Sequence, residues 1–311
     1  MAAYQYIYVM KQVSKIYPGG REIMKNITLA FLPGAKIGVL GYNGAGKSTL
    51  FKLITGQEQP DAGTIEIGTT VKLGYVDQSR DALDSSKTVY EEISGGNEII
   101  YLGKREMNTR AYLSSFNFKG TDQQKKVGQL SGGERNRVHL AKLLKSGANV
   151  VLLDEPTLGL DPATRLSLWQ TVKSARRETG AAFLVTTHYI DEVAEHLSNV
   201  SVINHGTVVA NGSPAHIREM FATGEVTLGV AEDTVDSAVD VLAGTAFEAH
   251  PTETVPGIVV RSRHPDVDAA KIITILAGHG ISVDSISVRE ATLEEAFLTI
   301  TGSRDPERQI P

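Results

Sequence analysis

Gly41-Tyr42-Asn43-Gly44-Ala45-Gly46-Lys47-Ser48 follows the short apolar run Lys36 to Leu40 and precedes a helical pattern, Ser48 to Thr55, that stops at Gly56. The spacing is G-x-x-x-x-G-K-[ST], that of a P-loop. Its glycines let backbone N–H groups close around a phosphate, and the following helix adds its positive dipole end. In such a loop Lys47 reaches the β- and γ-phosphates and the Ser48 hydroxyl ligates Mg²⁺. A second cluster stands at residues 150–155, where the apolar run Val150 to Leu153 ends in Asp154 and Glu155. A buried strand would carry Asp154 to the carboxyl edge of a sheet, where it can hold the Mg²⁺ shell, and Glu155 beside it can polarise water as a general base. A chance glycine turn, or two solvated acids at a strand end, would carry no chemistry; the two motifs together point to metal-assisted phosphoryl chemistry.

These residues need a parallel sheet to bring them together, and the surrounding pattern supplies one. Tyr4 to Val13 and Ile27 to Phe31 read as strands, the first broken by Pro18-Gly19-Gly20. A helix from Glu134 to Leu144, a strand from Val150 to Leu153, a helix from Pro162 to Arg177 and a strand from Ala181 to Thr186 alternate as βαβ units do. Residues 84–130 read as mainly helical, an insert in this α/β frame. After Gly212-Ser213-Pro214 and a connecting helix near Ala215 to Ala222, the pattern changes. Strand Glu225 to Val230, helix Thr234 to Ala243, strand Thr245 to Ala249, strand Gly257 to Ser262, helix Val267 to Gly278 and strand Ser282 to Val288 give a β-α-β-β-α-β order, that of a ferredoxin-like domain. A final helix begins at Thr292, where Thr292-Leu293-Glu294-Glu295 fits a capping box. The expected organisation is an α/β P-loop NTPase domain over 1–220 with a helical subdomain at about 84–130. A small α+β domain over 221–303, serving as an accessory or dimerisation unit, and a flexible tail over 304–311 complete it.

Composition removes several other function classes. The 311 residues contain 31 Lys+Arg, 36 Asp+Glu and no Cys, for a formal net charge of −5. The absence of cysteine excludes a disulfide framework, a thiolate zinc site and a thiol nucleophile, and the acidic excess argues against direct DNA binding. No apolar stretch approaches the ~20 residues that span a bilayer, and Met1 to Gln12 lacks the form of a secretory signal. A cytoplasmic protein of about two domains is expected. His139, His196, His205, His216, His250, His264 and His279 show no ligand spacing. Lys125-Lys126 reads as a solvated face, and Trp169, in a helical pattern, as core packing.

Leu130-Ser131-Gly132-Gly133-Glu134 resembles the signature motif of the ABC ATPase superfamily, and the other motifs of that family stand in its order. Tyr17 resembles the A-loop aromatic that stacks on adenine. Gln78 resembles the Q-loop glutamine that senses Mg²⁺ and the attacking water. Leu160-Asp161 resembles the D-loop, and His188 resembles the switch histidine that contacts the γ-phosphate. The resemblance covers residues 4 to 220. It implies Glu155, His188 and Gln78 as catalytic residues and Ser48, Gln78 and Asp154 as Mg²⁺ ligands. ATP would be bound by Tyr17, Gly41, Asn43, Gly44, Ala45, Gly46, Lys47, Ser48, Thr49, Ser131, Gly132, Gly133 and Asp161. Locally, Ser131-Gly132-Gly133 before Glu134 is a helix start, a second anion site of N–H groups and a hydroxyl. One chain cannot readily bring both anion sites to one nucleotide. The resemblance implies a head-to-tail homodimer in which the P-loop of one copy and the signature of the other enclose each ATP.

The subfamily likeness divides along the chain. Residues 1–157 resemble ABC-F translation factors of the translational-throttle type, through PGAKIGVLGYNGAGKSTL, ITGQEQPDAGTI, RAYLSSFNFKG and LSGGERNRVHLAKLL. From Leu158 onward, LGLDP, TTHYIDEVAEHLSNVSVINHGTVVANGSP and ATLEEAFLTITG resemble daunorubicin-resistance-type exporter ATPases with their small C-terminal domain. The pattern is that of a mosaic, natural or assembled, with a divergent natural member as the other reading. One half implies a membrane permease as partner and a peripheral place on the inner face of the membrane; the other implies the ribosome. ATP hydrolysis is implied by both.

Overall fold

The computed structural model describes residues 6–76, 83–102, 105–253 and 255–302. The chain divides into two compact units, 1–211 and 212–311.

In the first unit the chain runs β1 (Tyr8–Tyr17), β2 (Arg21–Phe31), β3 (Lys36–Leu40), α1 (Lys47–Ile54), β4 (Ala62–Ile67), β5 (Leu73–Val76), α2 (Val89–Ser94), β6 (Ile99–Leu102), β7 (Arg105–Asn108) and α3 (Thr109–Ser115). It continues through α4 (Gly132–Lys145), β8 (Val150–Asp154), α5 (Pro162–Thr179), β9 (Ala182–Thr187), α6 (Ile190–His196), β10 (Asn199–Asn204) and β11 (Thr207–Gly212). Two sheets share a core. One is three-stranded and antiparallel, in the order β2-β1-β4. The other is six-stranded, in the order β11-β10-β3-β9-β8-β5, and its β10/β3, β3/β9, β9/β8 and β8/β5 pairs are parallel. Every residue of β8 and β9 is buried, which is why these strands read as continuous apolar runs instead of alternating ones. Met10, Met24, Val39, Phe51, Leu152 and Leu184 pack in the core cluster that joins the two sheets through α1.

This topology positions the chemistry. β3 and β8 flank β9, and all three run parallel. Their carboxyl ends therefore open on one edge, so the loops after Leu40, Asp154 and Thr187 must emerge side by side.

Two stretches of this first unit differ from the sequence expectation. β1 continues past Val13 to Tyr17, and β2 begins at Arg21 instead of Ile27. The pairing survives the polar residues through register shifts between Met10 and Ile16, an irregularity that a period-2 pattern does not show. The 84–130 insert carries a hairpin besides its helical segments: β6 and β7 pair antiparallel between α2 and α3. Their four-residue length is too short for a periodic signal, and Gly95, at φ 67, ends α2 just before them.

The second unit contains α7 (Pro214–Phe221), β12 (Gly224–Gly229), α8 (Val235–Ala243), β13 (Ala249–Pro251), β14 (Gly257–Ser262), α9 (Pro265–Gly278), β15 (Ser285–Arg289) and α10 (Leu293–Thr301). Its sheet has the order β13-β14-β12-β15 with antiparallel neighbours. Val226, Leu228, Ile258 and Val260 pack with Ala238, Leu242, Ile272 and Leu276 of α8 and α9. Helix α7, read from sequence as a connector, packs on α10 within this unit. The second strand starts at Ala249 and not at Thr245, because Thr245 closes α8: its N–H and its hydroxyl both donate to the Leu242 carbonyl. The capping box at α10 forms, with Thr292 and Glu295 bonded reciprocally.

Candidate active site

The P-loop lies between β3 and α1. Gly46 enters the helix at φ 106, a left-handed conformation that strains any side chain. A Cβ on Gly41 would stand 2.5 Å from the Ile203 carbonyl oxygen of β10, so close backbone approach excludes any other residue there. Lys47 is the first residue of α1, and its side chain is 6% exposed. Its ammonium donates to the Gly41 carbonyl and lies 3.0 Å from Glu155 Oε1. Ser48 is exposed on the first turn of the helix, beside buried Thr49; Asn43 and Gly44 are exposed and Ala45 is buried.

Asp154 ends β8 buried, and the Thr186 hydroxyl of β9 donates to its Oδ1. The Glu155 N–H then lies 3.0 Å from the same hydroxyl oxygen and 3.2 Å from the Thr186 carbonyl. Glu155 has φ 44, a left-handed conformation that costs a non-glycine residue about 1 kcal/mol. This turn swings its carboxylate back over the sheet edge, where the side chain is 9% exposed. There it meets Lys47 through Oε1 and His188 through Oε2, at 2.8 Å from Nδ1. When Nδ1 donates, a neutral imidazole keeps Nε2 as an acceptor, and an imidazolium can donate from it.

Tyr17 closes the side of the loop. Its hydroxyl donates to the Glu58 carboxylate, with Oε1 at 2.7 Å and Oε2 at 2.8 Å, and sits 3.4 Å from the Thr49 hydroxyl. The ring is thus tied to α1 by its polar end.

The other site residues gather at a second place. Ser131 caps α4: its Oγ accepts from the Glu134 N–H, and Glu134 accepts from the Ser131 N–H at 2.8 Å. Gly132 and Gly133 occupy the first turn, where N–H groups lack intrahelical acceptors. Gly133 also has a packing reason. A Cβ there would stand 2.1 Å from Thr164 Cγ2, so α4 and α5 meet at this glycine. Asp161 caps α5, accepting from the Thr164 N–H at 3.0 Å, and its carboxyl is held below the usual range by the Thr164 hydroxyl. The structure thus brings Tyr17, the P-loop, Asp154, Glu155 and His188 to one sheet edge, and Ser131, Gly133 and Asp161 to the α4–α5 contact. Gln78 lies outside the described residues.

Sequence reasoning passed over several supporting residues. Thr186 holds Asp154 and the Glu155 backbone, and Glu58 holds Tyr17. Glu192 on α6 is a buried carboxylate that accepts from the Thr157 hydroxyl at 2.8 Å and sits 3.5 Å from the Thr187 hydroxyl. Burial pushes its carboxyl above the usual range. The available signal was the Thr186-Thr187 pair ending an otherwise apolar strand, since polar residues buried at a strand end need partners. Trp169 is buried, with its ring against His196 at 4.7 Å between centroids. Among the described residues no group of three or more His, Cys, Asp or Glu side chains could hold a metal, and no helix is long and apolar enough to cross a membrane.

The ABC transporter family model matches residues 24–158. The energy-dependent translational throttle protein EttA of Escherichia coli K12 is 52% identical over 182 residues, which cover 58% of this chain but 32% of EttA. The chain therefore spans about a third of the length of those relatives. The daunorubicin resistance ATP-binding protein DrrA3 of Streptomyces coeruleorubidus is 30% identical over 296 residues, covering 91% of this chain and 92% of DrrA3. Among solved structures, CbiO1 of Clostridium perfringens, part of the ABC transporter complex cbiONQ, superposes with a TM-score of 0.59 at 28% identity, covering 68% of this chain and 90% of CbiO1.

Proposed function

The chain belongs to the ABC ATPase superfamily, and from that premise we propose that it is the ATP-hydrolysing subunit of an exporter of the drug-efflux class, working as a homodimer that closes on two ATP. The observation that carries the reading is the likeness to DrrA3, which runs through both units of the chain. A separate permease would supply the membrane passage and hold the protein at the inner face of the membrane. Detergent-solubilised membranes should retain the chain beside such a permease, and its consistent absence from them would overturn this reading.

In this reading Lys47 and the P-loop N–H groups bind the phosphates, and Tyr17 stacks on adenine. The oxygen donors present, the exposed Ser48 hydroxyl and the buried Asp154 carboxylate held by Thr186, suit Mg²⁺, which takes oxygen ligands. Gln78 would join them. Held there, such an ion would offset negative charge on the phosphate chain. Glu155 takes a proton from the attacking water, and His188 holds the carboxylate that does so. One ammonium serves both tasks: Lys47 faces Glu155 at 3.0 Å, so bound phosphate competes with Glu155 for its charge and leaves the carboxylate more available as a base. Ser131, Gly132, Gly133 and Asp161 of the second copy would close the other side of each nucleotide.

A second reading, an ABC-F-like ribosome-associated ATPase, is favoured by the higher identity to EttA over part of the chain. It predicts that a Glu155→Gln variant with ATP co-sediments with ribosomes. Its absence from ribosomal fractions would exclude that role.

A further inference from the structure

The turn that follows Glu155 and the turn that carries His188 are joined twice. On the buried side Glu192 bridges them, accepting from Thr157 and facing Thr187. On the other side the bridge is Arg165, on the first turns of α5. Its Nε donates to the Leu160 carbonyl at 2.9 Å, its Nη2 lies 3.3 Å from the Tyr189 hydroxyl, and its guanidinium carbon stands 4.2 Å from the Tyr189 ring centroid. The Tyr189 ring in turn packs on the His188 imidazole, with centroids 4.2 Å apart and planes 35° apart. His188 reaches Glu155 at 2.8 Å. The backbone is pinned as well: the Tyr189 N–H donates to the Thr187 hydroxyl at 3.0 Å. One contiguous path therefore leads from the Leu160–Asp161 turn to the Glu155 carboxylate through a cation, an aromatic ring and an imidazole.

We propose that Arg165 and Tyr189 are positioning residues for ATP hydrolysis: as a stacked pair they set the tilt of His188, and through it the Glu155 carboxylate, according to where the Leu160–Asp161 turn sits. The physics suits the residue types. A planar guanidinium can stack on an aromatic face while its edge donates to a carbonyl, which a lysine ammonium cannot do. A small misplacement of a reacting group is enough to cost much of the rate. Because the Leu160–Asp161 turn adjoins Gly133 of the signature helix, movement of that corner reaches the hydrolytic carboxylate through this pair. The inference rests on the assignment of Glu155 and His188 to hydrolysis, and the experiment separates the two.

In the full chain, kcat and KM for ATP, with the affinity for a fluorescent ATP analogue, would be measured for Arg165→Ala, Tyr189→Phe, Tyr189→Leu, His188→Ala and the Arg165→Ala/His188→Ala double variant. Arg165→Ala and Tyr189→Leu should each lower kcat about tenfold while KM and analogue affinity stay within about twofold, the pattern of a lost transition-state arrangement. Tyr189→Phe, which keeps the stacking ring, should retain at least about a third of kcat. In the His188→Ala background, Arg165→Ala should change kcat by less than about twofold, because both act through one group. Multiplicative losses in the double variant, or a change in KM instead of kcat, would overturn the relay while leaving the His188 assignment intact. An unchanged kcat for His188→Ala would overturn that assignment and the relay with it. Should Arg165→Ala fail to fold, Arg165→Lys carries the same test, with a loss of kcat that again vanishes in the His188→Ala background.

Discussion

At the P-loop, the Lys47 ammonium and the Glu155 carboxylate are 6% and 9% exposed and lie 3.0 Å apart. At the start of α4, Ser131 is exposed, and its hydroxyl is engaged with Glu134 of its own first turn. Both corners present helix N-termini suited to anions, yet they are built in opposite ways. The first is walled by the chain's own buried charges and held by three parallel strands. At the second, Ser131 is exposed and Gly132 half-buried, while Gly133 is buried in packing against Thr164. A site closed on one side by its own chain and a matching half exposed elsewhere are what a composite nucleotide site requires of each copy.

Variants at the two corners put that contrast to the test. The largest effect is expected at Glu155: Glu155→Gln should lower kcat ~10²–10⁴-fold, the range of general-base assistance, while nucleotide still binds. Steady-state turnover beside equilibrium binding would check it, and loss of binding instead would mean that the carboxylate serves the loop and not the water. Next comes Lys47→Ala, which removes the proposed phosphate ligand and leaves Glu155 buried without its cation. Losing a buried charged contact to a bound partner commonly costs ~30-fold or more in affinity, and calorimetric ATP titration should show a loss on that scale. Ser131→Ala acts on the other corner. It should lower ATPase turnover about tenfold and stability by about 1 kcal/mol through the lost cap, while nucleotide affinity of the monomer is unchanged. A monomer affinity lowered as in Lys47→Ala would erase the distinction between the two corners.

The smallest effect concerns the support behind the site. Burial raises the Glu192 carboxyl above its usual range, so the folded chain keeps that proton to higher pH than the unfolded chain. Between the two values folded protein holds more protons, and stability falls as pH rises. Glu192→Gln keeps an acceptor for Thr157 and removes that dependence. Its melting temperature should exceed that of the parent chain near pH 8, and the gap should close on acidification toward about pH 4, the ordinary glutamate range. A gap independent of pH would show that Glu192 does not titrate across this interval.

The parts of the fold that were legible in the sequence are those whose physics is local. Strands β8 and β9 are wholly buried and read as apolar runs, and the P-loop spacing announces itself through its glycines and lysine. The pairing of β6 with β7 was not legible, because four-residue strands carry no period that competes with helical noise. The left-handed turn at Glu155 follows from the sheet edge and the Thr186 contacts, which are non-local. Arg165 and Tyr189 lie 24 residues apart, and only the folded chain places one over the other. The sequence thus exposes the P-loop and the Asp154-Glu155 pair, and the structure shows the groups that pack around them.

In the proposed function, a complete ATP site needs the signature corner of a second copy. Sedimentation of the Glu155→Gln variant at saturating MgATP tests it most directly. The account predicts a dimer that forms with ATP and is lost when Ser131→Ala is added; a species that stays monomeric at saturating ATP would contradict it.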